Sequence, residues 1–238
     1  MSSNITVLYA CNDASHYRKM MELSIRSWKR FHPDWKVEIF PLRTPNTFID
    51  TITWYLGSRA AGLAKAIAAP IRKNEPEGRI KAFNEKVDAI RSAKEPCVLF
   101  LDCDTFVTRP LTSMIERFQG FDVLTQDAHS IFEPLHGFGD APFPRISAGA
   151  FLMSSTFAEV YNDYARRYPI ESLYGADEYI FSYCLHHSTN LRVRAVSDLQ
   201  VINKMGVKSV VEYLDQAAVV HYAFHKQLMY KQLKALLK

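Results

Sequence analysis

Cysteine is scarce and scattered. Cys11, Cys97, Cys103 and Cys184 stand far apart among apolar neighbours, with no Cys-x-x-Cys pair. That excludes a zinc ribbon and a thioredoxin-type redox motif, and reduced buried thiols in a cytoplasmic protein are the expected state. Low-complexity sequence is missing too. With 48% hydrophobic residues over 238 positions, the chain is neither disordered nor fibrous. No apolar run approaches a membrane span, and the first, Ile5 to Ala10, is also too short for a signal peptide.

A large charge of one sign is absent as well. Lys and Arg number 29 and Asp and Glu 25, a net charge of +4. The excess sits in Lys226 to Lys238, where Lys226, Lys231, Lys234 and Lys238 meet no acid, and the remainder holds 25 residues of each sign. A neutral body lacks the basic face of a nucleic-acid-binding domain. In the tail, Met229, Leu233, Leu236 and Leu237 recur at helical spacing beside the lysines. The sequence therefore divides into a main domain over 1–225 and a basic amphipathic helix over 226–238. Two roles fit that helix: packing its stripe onto its own domain, or peripheral contact with an anionic membrane surface.

What is present reads as one α/β domain. Ile5 to Ala10 is an apolar strand, followed by a polar turn over Cys11 to Ser15. Met20, Leu23, Ser24 and Trp28 predict a helix over His16 to Arg30, and Trp35 to Phe40 alternates like a strand. Leu56 to Ala69 is Ala-rich enough for a helix, which Pro70, Pro76 and Gly78 break. Lys81 to Arg91 predicts another helix. Cys97 to Leu101 is a continuous apolar run, the pattern of a strand buried on both faces in a parallel sheet. Ser113-x-x-Glu116 predicts a capped short helix and Phe121 to Thr125 a strand. Residues 126–146, with three Pro and no period, predict a long loop. Ile146 to Met153 is a strand, and Thr156-x-x-Glu159 caps a helix with Phe157, Val160, Tyr161, Tyr164 and Tyr168 on its buried side. Gly175 to Glu178 opens a further apolar helix. Leu191 to Val196 and Ala217 to Tyr222 are late strands.

Asp102-Cys103-Asp104 carries the strongest chemical signal. Residues i and i+2 of an extended backbone point to one side, so both carboxylates project into one spot. That spot lies at the carboxyl end of a buried strand, where open α/β sheets bind ligands. Crowded carboxylates repel unless a cation joins them, and oxygen ligands favour Mg²⁺ or Mn²⁺ shared with substrate phosphates. Carboxylates rarely sit so tightly inside apolar sequence by chance.

Val98-Leu-Phe-Leu-Asp-Cys-Asp-Thr-Phe-Val107 resembles the Asp-x-Asp strand of the GT-A nucleotide-sugar glycosyltransferases, most of all those of family 8. The likeness extends over nearly the whole chain as ordered blocks. It implies a single-domain, Rossmann-like mixed sheet flanked by helices, with the acidic pair at a central strand end. It also implies a UDP-sugar donor, Mn²⁺ (or Mg²⁺) and a carbohydrate or other hydroxyl acceptor. Ala10, Asn12, Asp13 and Tyr17 resemble the loop that holds the uracil. Lys86 resembles a cation supplied towards the donor by the helix before the metal strand, and Cys103 lies between the two metal-binding acids. Ser147 and Gly149 resemble the Asn-Ser-Gly strand beside the donor sugar. Asp177 and Glu178 fall where the family carries Asp-Gln, and they are the candidate catalytic carboxylates, with Glu178 preferred as the sugar-facing one. His221 resembles the late metal-binding histidine that joins Asp102 and Asp104. Lys226, five residues on where the family usually has six and a Gly between, resembles a diphosphate contact, and His225 competes with His221 as ligand. The change to Asp-Glu leaves retention or inversion open. Two other readings stand beside this one: a nucleotide-sugar-binding module without turnover, and a phosphatase of the haloacid dehalogenase type.

Overall fold

Alternation along the central strands decides the architecture. In β1 (Thr6–Asn12), Leu8 and Ala10 join one apolar cluster while Val7, Tyr9 and Cys11 join another. β3 (Val98–Leu101) and β8 (Ala150–Met153) divide in the same way, Val98, Phe100, Phe151 and Met153 to the first side and Leu99, Leu101, Ala150 and Leu152 to the second. Strands apolar on both faces need cover on both. Helices α2 (Pro76–Arg91), α4 (Ser155–Arg167) and α5 (Ala176–His187) cover the first face with Val87, Ile90, Phe157, Tyr161, Ile180 and Phe181. Helices α1 (Ser15–Lys29) and α3 (Thr112–Phe118) cover the second with Met21, Trp28, Met114 and Phe118.

This computed structural model describes residues 5–13, 15–43, 76–133, 141–168, 170–173, 175–202 and 215–222, with Leu135, Gly139, Leu233, Lys234 and Leu237. The helix expected over Leu56 to Ala69 lies outside them, as do His225, Lys226 and most of the basic tail. Of that tail, Leu233 is buried in a cluster with Met20, Leu23, Phe106 and Val220, and Leu237 packs against it. The Leu237 carbonyl accepts a bond from the Arg26 guanidinium at 2.9 Å. These two leucines therefore lie on the domain itself. Among the described residues no helix is long and apolar enough to cross a membrane.

The main sheet also contains β2 (Lys36–Leu42), β5 (Val123–Gln126) and β9 (Val193–Val196), in the order β2-β1-β3-β8-β5-β9. β2 and β3 run parallel to β1, whereas β8 runs antiparallel to both β3 and β5. The expected parallel surroundings of β3 are thus half right. β8 enters from the opposite direction because the chain reaches it through a hairpin rather than a helical crossover. A second sheet joins β10 (Gln200–Ile202), β11 (Val219–His221) and β4 (Thr105–Val107), in that order.

Several expectations need correction. The helix expected over Lys81 to Arg91 begins earlier, at Pro76, with Pro76 and Gly78 in the first turn of α2, where the missing N–H of a proline costs nothing. The helix they were expected to end lies outside the described residues. Ser154, not Thr156, caps α4, its side chain accepting the Phe157 N–H at 3.2 Å. Ser113 lies inside α3, whose N-cap is Leu111, so no capping box forms there. The long loop contains an antiparallel pair, β6 (Ser130–Phe132) and β7 (Phe143–Arg145). Pro144 inside β7 hid it, a residue that a two-stranded edge tolerates.

Candidate active site

The chain turns immediately after β3. The Thr105 N–H donates to the Asp102 carbonyl at 3.1 Å, so residues 102–105 form a turn rather than extended strand. Strand alternation is therefore not what brings the two carboxylates together. The turn does, and the Asp102 N–H fixes it by donating to the Gly149 carbonyl at 2.8 Å.

A directed chain of hydrogen bonds anchors the same turn to α1. Trp28 Nε1 donates to the Tyr9 hydroxyl at 3.0 Å, and Thr105 Oγ1 donates to the Asp102 carbonyl at 2.7 Å. Each hydroxyl has one proton. Ser24 must then donate to Thr105 at 3.1 Å and Tyr9 to Ser24 at 2.7 Å. Burial pushes the Tyr9 hydroxyl far above the usual phenol range, which keeps the proton this chain requires.

Three side chains converge beyond the turn. His221 Nε2 stands 3.5 Å from Asp102 Oδ2 and 3.3 Å from Asp104 Oδ1. Ligand atoms of Asp102, Asp104 and His221 all lie within 4.8 Å of one another. Adjacent ligands of an ion with bonds of about 2.1 Å stand roughly 3 Å apart, so the set fits a divalent cation. Gly149 makes room for the imidazole: a Cβ there would come within 2.6 Å of His221 Cε1.

Lys86, on α2, reaches the same centre. Its Nζ lies 2.8 Å from Asp102 Oδ1 and also pairs with Asp177 Oδ2, at the start of α5. Burial works against a charged Lys86, but Asp102 and Asp177 outweigh it and hold its pKa above the ordinary lysine value. Burial raises the Asp102 carboxyl, Lys86 and His221 oppose that, and Asp104 and Asp177 add to it. Burial likewise depresses His221, and Asp104 with Asp102 overcomes it, so the imidazole titrates higher than usual. Lys86 thus faces two carboxylates, Asp102 and Asp177, while Asp104 faces His221.

The structure brings Asp102, Asp104, His221, Lys86 and Asp177 together and distributes the other expected residues around them. Glu178 does not join the cluster. Arg145 Nε and Nη2 bind its two oxygens at 3.2 and 2.8 Å, and that guanidinium lies 4.8 Å from the Phe132 ring centre. Asp177 Oδ1, by contrast, is buried without a partner among the described residues. Cys103 Sγ donates to the Ala10 carbonyl at 3.3 Å, tying the turn to the end of β1. Ser147 Oγ accepts the Gly149 N–H at 3.3 Å. Asn12 ends β1. Tyr17 is half-buried against the apolar clusters, and its ring lies 4.5 Å from that of His16. The Asp13 side chain is 93% exposed and pairs with Arg18 at 2.5 Å. Sequence reading missed Thr105 as a turn anchor, Arg145 as the partner of Glu178, and Gln200, a buried amide beside Gly149. Arg145 lies in the Pro-rich stretch that showed no period, and Gln200 carried no motif at all.

No protein-family model matches the chain, and no curated protein sequence does. Solved structures do match. The chain is similar to a galactosyltransferase, LgtC, solved in complex with donor and acceptor sugar analogs: identity is 15%, coverage 98% of this chain and 95% of that one, and TM-score 0.51. It is also similar to a glycosyltransferase involved in glycosylation of the major capsid of PBCV-1 (15% identity, 98% and 100% coverage, TM-score 0.55). A third match is WbbM, a bifunctional glycosyltransferase, at 12% identity over all of this chain and 50% of that one, with TM-score 0.56. At these identities the likeness is one of fold. The fold is the GT-A fold, with the Asp102-x-Asp104 group at the end of its central strand β3. It leaves the phosphatase reading without support.

Proposed function

We propose that the protein is a metal-dependent glycosyltransferase, resembling family 8, that moves a hexose from a UDP-linked donor to a hydroxyl of a glycan or other acceptor. The observation that carries this reading is the convergence of Asp102, Asp104 and His221 at the carboxyl end of β3. An imidazole beside two carboxylates favours Mn²⁺ over Mg²⁺. An ion bound there supplies Lewis acidity against the negative charge that grows on the departing diphosphate.

The chain's own residues take the remaining roles. Ala10, Asn12, Asp13 and Tyr17 border the uracil, Cys103 holds the acidic turn against β1, and Ser147 and Gly149 flank the sugar. Lys226 is assigned to the diphosphate by the family resemblance alone. Lys86 orients Asp102 and Asp177 through its paired contacts. Of the two candidate catalytic carboxylates, Asp177 is favoured for the sugar, because its buried Oδ1 awaits a donor such as a substrate hydroxyl. Glu178 has both oxygens on Arg145, which lowers its value as a nucleophile and makes it a support for the β6–β7 hairpin.

One observation keeps a second reading alive: Asp177 and Glu178 are both already paired with cations, as a binding module without turnover would allow. Mixing the protein with Mn²⁺ and a panel of nucleotide-sugars separates the two. A glycosyltransferase releases nucleoside diphosphate slowly with water and faster with acceptor, and EDTA stops it. Tight donor binding with no release above the protein-free rate overturns the catalytic reading.

A further inference from the structure

We propose that Gln200 is a positioning residue that holds the His221 imidazole by its Nδ1–H. The inference rests on the metal reading above and extends it to a residue that makes no ligand contact of its own.

Three observations meet at this point. His221 turns Nε2 towards Asp102 and Asp104, which leaves Nδ1 facing inward, and Nδ1 is buried with no partner among the described residues. Gln200 is 3% exposed, and neither its Oε1 nor its Nε2 has a partner among the described residues. Both groups crowd one place. The position of a Cβ on Gly149 is 3.1 Å from Gln200 Oε1 and 2.6 Å from His221 Cε1, with Nδ1 nearer still. An orphan donor and an orphan acceptor, both buried and separated by no more than the space of one residue's missing side chain, are each other's natural complement. A small rotation of the amide or one bridging water joins them.

Strand register explains the placement. β10 pairs with β11 so that Gln200 lies opposite Val219 and Ile202 opposite His221. Two residues apart on one strand is one face of the sheet, so Gln200 reaches the side on which His221 projects. The Gln200 backbone is itself pinned, since its N–H donates to Gln126 Oε1 at 2.7 Å and Gln126 Nε2 donates to the Ser197 carbonyl at 2.9 Å. Rigidity matters because a ligating imidazole works through a fixed ring orientation. With Nδ1–H donated to an acceptor, the Nε2 lone pair is left aimed at the ion. Gly149 completes the device, since any side chain there would separate the two groups.

The test uses the full chain, with Mn²⁺ alone as probe and its free fraction read by electron paramagnetic resonance. Gln200→Met keeps the side-chain length and removes the acceptor, and its Kd for Mn²⁺ is expected to rise about 10- to 100-fold. Gln200→Glu keeps an acceptor and is expected to stay within about threefold of the unsubstituted protein. A crystal structure of the metal-free protein is expected to show Gln200 Oε1 bonded to His221 Nδ1, directly or through one water. Mn²⁺ affinity unchanged in Q200M overturns the proposal, and so does an equal loss in Q200M and Q200E. Should Q200M fail to fold, Q200E and the crystal structure decide, an unbridged Nδ1 counting against the proposal. If the unsubstituted protein binds no Mn²⁺ while the Gln200–His221 bond is present, the metal reading has failed and the pairing has not.

Discussion

The centre around Asp102 and the loop after β1 are both polar, and both were expected to touch the donor, yet they are built on opposite principles. In the centre, Asp102, Asp104, Asp177, Lys86 and His221 come from the β3–β4 turn, two helices and β11, and their charges are held out of water. In the loop, Asp13 sits in solvent and pairs with Arg18, a few residues along the same chain. Charge in water is cheap and replaceable, because high dielectric and salt screen it. Charge in the interior persists only when several elements agree on its position, and removing one partner leaves the others stranded. The centre should therefore be intolerant of change and the loop forgiving.

Lys86→Met should produce the largest effect. It strands Asp102 and Asp177, and breaking a buried pair in this way costs about 3–5 kcal/mol, readable as a drop in the denaturant midpoint. A midpoint unchanged in K86M would erase the distinction between the two regions.

Gly149→Ala is expected to come next. The new Cβ meets the His221 ring and displaces it from the two aspartates. Mn²⁺ affinity should fall about 10- to 100-fold, by comparison with the loss of an orienting partner, with stability falling less than in K86M. Asp13→Ala should do least. Its denaturant midpoint should match the unsubstituted protein, and any effect should appear as a few-fold rise in KM for the donor with kcat preserved, measured by steady-state kinetics. A large kcat defect in D13A would place the loop in the chemistry.

The same contrast explains what the sequence made legible. β1, β3 and β8 were readable because both faces of each are apolar, and α1 and α4 because a periodic stripe meets one face of the sheet. Asp102 and Asp104 stood out for being acids in apolar surroundings, and His221 through the family likeness. The reason given for their convergence was wrong, since a hydrogen bond from Thr105 to the Asp102 carbonyl makes a turn that no local pattern announced. Arg145 and Gln200 were invisible for a related reason. Their roles come from partners 33 and about 20 residues away in sequence, through a hairpin disguised by proline and a three-residue strand. Pairing across such distances is a property of the topology, and spacing along the chain does not carry it. Glu178 shows the limit most plainly, for its preference over Asp177 could be weighed only once Arg145 was seen to hold both of its oxygens.

The central claim is most directly tested by anomalous diffraction from crystals soaked with Mn²⁺ and UDP. This account predicts a single strong manganese peak bonded to Asp102, Asp104 and His221, with the diphosphate completing its coordination. UDP bound with no manganese peak at these three side chains would contradict it.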